Sequence, residues 1–120
     1  MRLYGAMLFV KDLRRMTAFY TDVMGLTPND DTRQDDWIEF RDSQFSLHAL
    51  PAAIAEGIQI DTPPRPREQT AAKLTFAVKD VAATLAKIKA MGLPLLHRPW
   101  GGTEAVDPEG NVFALANAID

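Results

Sequence analysis

The sequence predicts an α+β fold made of two tandem βαβββ units. Three observations carry that reading: an internal repeat, a shared order of hydrophobic periods in each copy, and turn residues at the joints. "VKDL" at 10–13 returns as "VKDV" at 78–81, and "MGLTP" at 24–28 is echoed by "MGLP" at 91–94. The offsets are 68 and 67 residues, so the copies keep their order and, to within one residue, their spacing. Self-similarity of this kind marks a duplicated unit and has to be recognised before any single element.

Each copy then reads in the same way. "RLYGAMLFV" and "AKLTFAV" are apolar, short and bounded by charge, as buried strands are. Asp12 and Asp80 follow them at helix N-cap positions, where a short acceptor satisfies the free amides of the first turn. Leu13, Met16, Tyr20 and Val23 keep helical spacing, as do Val81, Leu85, Ile88 and Met91. Gly25 and Gly92 fall just past the last periodic residue, the usual terminating position. Shorter strands follow: 26–28, 36–40 and 44–50 in the first copy, 94–98, 103–106 and 111–117 in the second. Asp42 and Ser43, "GG" at 101–102 and "DPEG" at 107–110 are the turns between them. The first unit therefore covers 1–50 and the second 73–120. Residues 51–72, with four of the eight prolines, read as a linker of unusual length.

The totals fit one small globular domain. Of 120 residues, 47% are apolar and 24% charged, enough for a core and for solubility. A net charge of −3 gives no basic footprint for nucleic acid. With no cysteine, disulfides, thiolate nucleophiles and zinc–cysteine sites are excluded. The apolar run "YGAMLFV" is too short to span a bilayer and lacks a signal-peptide cleavage site. No nucleic-acid partner, no membrane and a cytoplasmic location are expected.

Two such units, "VKDL" with "FYTDVMGL" around the first helix, and "DPEGN" before the last strand together resemble the vicinal oxygen chelate superfamily. Its members include glyoxalase I, bleomycin resistance proteins and extradiol dioxygenases, and the opening 26 residues look especially like the start of glyoxalase I. The resemblance covers nearly the whole chain apart from the linker. It implies that each unit curls into an open half-barrel, that the two form a small-molecule cleft, and that the chain is a homodimer. It also implies a divalent metal held by one side chain from the first and last strand of each unit. Those places are Gly5, Ser46, Lys73 and Ala114. Glycine and alanine have no donor atom, an ammonium has no free lone pair, and serine is a poor ligand beside histidine or carboxylate. The expectation is a member without the family's metal and without another cofactor.

Strand alternation points Met7, Phe9, Ser46, His48, Lys73, Thr75, Val112, Ala114 and Ala116 toward the cleft. Their small and apolar character suits binding better than activation. His48 is the remaining candidate ligand, but one imidazole does not hold an ion, so a general base or ligand contact is the expected role. Lys73 would attract an anionic group, or else hold its head in water at a strand end. Glu104 is a candidate general base beside His48; its plainer role is a surface charge. Trp100, flanked by Pro99 and two glycines, has room to stack on a flat ligand; Trp37 offers the same surface, and both residue types more often belong to cores or interfaces. His97 reads as partly exposed. "NDDTRQDD" at 29–36 lacks the glycine and terminal glutamate of a calcium loop and reads as a solvated turn. Two functions follow: sequestration of a small, partly apolar molecule, or a lyase, isomerase or dioxygenase with a remodelled site using His48 and Glu104.

Overall fold

The computed structural model describes residues 1–118 and divides into two compact units, Met1–Gln59 and a second from Ile60 onward. The segment 51–72 is shared between them. Its first part forms a short helix and belongs to the first unit; residues from 60 on belong to the second.

The first unit runs β1 (Ala6–Val10), α1 (Leu13–Ala18), β2 (Trp37–Phe40), β3 (Phe45–Ala49) and α2 (Ala52–Ala55). Its sheet order is β1-β3-β2, with β1 parallel to β3 and β2 antiparallel to it. Asp12 caps α1 as expected, its Oδ1 accepting from the Arg15 N–H at 3.0 Å. Beyond Ala18 the helix widens into a π-turn over Phe19–Val23. Helical spacing selects only Tyr20 of the adjacent pair for the core. The wider turn buries Phe19 as well, with the two rings edge-on at 5.0 Å. Tyr20 then meets Phe45 at 5.1 Å, and Phe45 stacks on Phe40 at 5.7 Å. These aromatics, with Met16, Ile38 and Leu47, fill the space between helix and sheet.

Two strand expectations need correction here. Only Ala6–Val10 of "RLYGAMLFV" is strand. The strand expected at 26–28 is reduced to a single bridge between Pro28 and Phe40. The backbone does run alongside β2, since Thr27 accepts from the Arg41 N–H at 2.7 Å and Asn29 donates to Glu39 at 2.9 Å. Pro28 and Phe40 are the non-hydrogen-bonded pair between these two bonds, and the pairing stops at that single bridge.

The second unit runs β4 (Leu74–Val78), α3 (Val81–Ala90), β5 (Leu95–His97), β6 (Thr103–Val106) and β7 (Val112–Asn117). Its order is β4-β7-β6-β5, with β4 parallel to β7 and the other pairs antiparallel. This is the βαβββ arrangement expected. Asp80 caps α3 by accepting from the Ala83 N–H at 3.0 Å, and Gly92 ends it at φ +79°. Ile88, Leu93, Ala105 and Phe113 are buried, with Phe76 edge-on to Phe113 at 5.5 Å. In each unit the side chains packed with the helix alternate with others on the opposite, open face of the sheet.

The "DPEG" turn holds residues 65–67 against the second unit. Asp107 is fully buried; its Oδ1 accepts from the N–H groups of Glu109 and Asn111 at 2.9 and 3.0 Å, and its Oδ2 from the Asn111 side chain at 2.8 Å. Gly110 follows at φ +90°, and its carbonyl accepts from the Arg67 N–H at 2.8 Å.

Candidate functional site

On the open face of the first sheet, strand register sets two rows. Met7, Ser46 and Glu39 form one, and Phe9, His48 and Trp37 the other. The expected residues Met7, Phe9, Ser46 and His48 thus share a face. Met7 and Phe9 are 45% and 61% exposed, large apolar side chains for open positions. Ser46 is buried. The His48 ring lies 5.5 Å from Phe9, its Nδ1 is 2.8 Å from the Ala49 carbonyl, and its Nε2 is 3.7 Å from Asp36. Nδ1–H donating to that carbonyl leaves the Nε2 lone pair outward in the neutral ring, and a second N–H toward Asp36 in the protonated one.

The second sheet holds the more organised group. Leu96, Glu104, Ala114 and Thr75 are in register across four strands, with Lys73 two residues before Thr75 on the same side. The Lys73 ammonium donates to Glu104 Oε2 at 2.8 Å. Arg98 donates from Nε to Glu104 Oε1 at 2.8 Å and from Nη2 to Glu68. Arg98 also lies over the Trp100 ring, 5.6 Å from its centroid. Glu104 is therefore no surface charge; its side chain is 11% exposed, and each oxygen has its own cation. The Lys73 hydrogen bond holds the Glu104 carboxyl below its usual range, opposed by burial and assisted by Arg98. The same network, led by Glu68, raises the Arg98 guanidinium further. A carboxylate held ionised between two cations is a weak proton acceptor, so the position expected for a general base is built instead as a fixed anion.

Arg98 and Glu68 were not singled out in the sequence. Arg98 had a signal: alternation along 94–98 puts it on the same side as Leu96, which pairs with Glu104. Glu68 had none, since it lies in the Pro-rich segment outside any strand. His97 is exposed as expected, its Nδ1 3.1 Å from the Thr103 hydroxyl.

A family model described as the Glyoxalase/Bleomycin resistance protein/Dioxygenase superfamily matches residues 3–115. The chain belongs to that superfamily. Solved structures of similar fold align over nearly its whole length. A protein of unknown function from Agrobacterium tumefaciens is 25% identical, with a TM-score of 0.68 over 99% of this chain and 95% of that one. The fosfomycin resistance protein FosX of Listeria monocytogenes is 16% identical, with a TM-score of 0.65 over 98% and 91%. The bleomycin resistance determinant encoded on transposon Tn5 is 21% identical, with a TM-score of 0.59 over 99% and 100%. No curated protein matches the chain.

Superfamily membership raises the question of its metal, and the residues here do not fit one. A Cβ at Gly5 would lie 2.4 Å from the Gln44 carbonyl oxygen, so no ligating side chain enters at that position without moving backbone. Lys73 stands at a second position with its ammonium bonded to Glu104, and Ala114 at a third. Among the described residues no group of three or more His, Asp or Glu is placed to hold an ion. Nor is any helix among them long and apolar enough to cross a membrane.

Proposed function

We propose that this superfamily member binds and sequesters a small, partly apolar molecule without a metal, acting as a homodimer. The supporting observation is the Lys73–Glu104–Arg98 network. At a position where the resemblance calls for a metal ligand, the chain carries a fixed cation, already balanced by a buried carboxylate. Around it Thr75, Ala77, Ala114 and Ala116 make a shallow surface of small side chains on the same face, suited to contact and poor in groups that could activate a substrate. The alternative, a lyase, isomerase or dioxygenase using His48 and Glu104, has less support. Glu104 is fixed as an anion, and His48 is tied to its own strand by Ala49.

The resistance functions of FosX and the Tn5 determinant are theirs, and at these identities the likeness extends to fold alone. The test is metal content of untagged protein, followed by melting with nickel, zinc, manganese and iron(II). The proposal expects substoichiometric metal and no shift with any ion, then stabilisation by hits from a small-molecule screen. One metal per chain, lost on His48→Ala, would overturn it. Light scattering after size exclusion tests the dimer.

A further inference from the structure

Residues 67–73 cover a hollow of about 230 Å³ at the end of the second sheet. Its lining includes Arg67, Glu68, Lys73, Arg98 and Val112. Its size corresponds to several water molecules, enough for a small polar group but not for a whole drug-sized ligand. Three cations line it against one carboxylate, with Glu104 behind Lys73 and Arg98. Arg67 anchors its backbone to Gly110, while among the described residues its guanidinium has no hydrogen-bonding side-chain partner.

The two carboxylates on Arg98 are not equivalent. Glu104 projects from β6, is 11% exposed, and has Lys73 on its other oxygen. Glu68 reaches Arg98 from outside any strand, its side chain is 50% exposed, and Arg98 is its one cation among the described residues. Arg98 is 15% exposed, but water and dissolved anions reach the pair from the half-exposed Glu68 side and can compete for its place there. The first carboxylate is part of the sheet; the second occupies a place that another oxyanion can take. Without Glu68 the hollow presents three cations to one buried anion.

Resting on the binding reading above, we propose that this hollow is an oxyanion subsite. Glu68 fills it from within the chain until the carboxylate or phosphoryl group of a small ligand replaces Glu68 on Arg98. Arginine suits that exchange, since its planar fork accepts an incoming oxyanion while Nε stays bonded to Glu104. Trp100, 73% exposed and stacked under Arg98, offers a flat apolar surface beside the subsite for the remainder of the ligand. The ligand class is therefore a small aromatic or apolar acid.

Calorimetric titration with benzoate, benzamide and inorganic phosphate tests this, using the full chain and the Glu68→Ala variant. Glu68 is half-exposed and outside the sheet, so the variant should fold, and its melting temperature verifies that. Benzoate is expected to bind about fivefold tighter to Glu68→Ala than to the unaltered chain, the scale set by losing one internal competitor. Benzamide should not respond. Arg67→Gln in the Glu68→Ala background should reverse most of the gain. A parallel gain for phosphate would identify a general oxyanion site, and a gain for benzoate alone a carboxylate site beside Trp100. Equal behaviour of benzoate and benzamide, or no change on Glu68→Ala, overturns the inference. Either result leaves the metal-free binding reading standing, because that rests on metal content and on the ligand screen.

Discussion

Replacing Gly110 with alanine should destabilise the second unit more than any other single-methyl addition at a glycine turn. Two costs combine there. The backbone has φ +90°, and a side chain in the left-handed region costs about 1–2 kcal/mol. The new Cβ would also lie 2.4 Å from the Arg65 carbonyl oxygen, about 1 Å inside an ordinary contact distance. That neighbour is backbone and cannot rotate away. Relief requires residues 65–67 to move off the turn, which breaks the 2.8 Å bond from the Arg67 N–H to Gly110 and adds about 1 kcal/mol. The sum is about 2–3 kcal/mol. For 120 residues, at about 2.1 cal/mol/K per residue, this lowers the melting temperature by about 8–12 °C.

Gly92→Ala is the matched control. Its φ is +79°, but nothing lies within 4 Å of the added Cβ, so only the conformational cost applies, about 1 kcal/mol and about 4 °C. Calorimetry on both variants measures the difference, and amide exchange at Arg67 reports whether the segment has lifted. Equal losses at the two glycines would refute the reasoning, as would a large loss at Gly110 with Arg67 exchange unchanged.

Three further outcomes are expected. Glu104 has a folded-state pKa depressed below the ordinary 4.5, so its contribution is fully present above that value and fades as pH falls through the folded one. Denaturation of Glu104→Gln should therefore show lower stability than the parent at pH 7 and a gap that narrows below pH about 4; a constant gap would contradict the ion-pair account. Phe113→Ala, at a side chain 2% exposed, should cost about 3–5 kcal/mol in urea unfolding, and a loss under about 1 kcal/mol would mean the helix–sheet core is elsewhere. Asp80→Ala removes the acceptor for the Ala83 N–H and should cost about 1 kcal/mol, with Asp80→Asn recovering most of it.

The fold was legible because its signals are local and repeated. Asp12 and Asp80 cap helices, Gly25 and Gly92 end them, and the parity of Thr75, Ala114 and Glu104 follows from strand alternation alone. What was not legible depends on the third dimension. The 26–28 strand has the right composition, but its pairing with β2 stops at a single bridge between Pro28 and Phe40. Phe19 joins the core through a π-turn that no 3.6-residue period anticipates. Glu104 looked like surface charge because a lone carboxylate in a sequence usually is one. Its burial depends on Lys73, 31 residues away, and on Arg98, whose other partner comes from a segment with no strand or helix pattern at all.

Those partners also decide how the second unit's face differs chemically from a metal site. A divalent ion offers concentrated charge and open coordination positions, and so binds and polarises in one act. Lys73 and Arg98 offer a similar formal charge, but Glu104 neutralises half of it and takes a donor from each. Arg98 also reaches the half-exposed Glu68 through Nη2, and its guanidinium lies over the Trp100 ring. On the reading proposed above, such an arrangement orients an acid by its oxyanion. Glu104 sets that balance. If Glu104→Gln raised affinity for benzoate while lowering stability, the buried carboxylate would be limiting ligand binding in order to hold the two cations in the sheet.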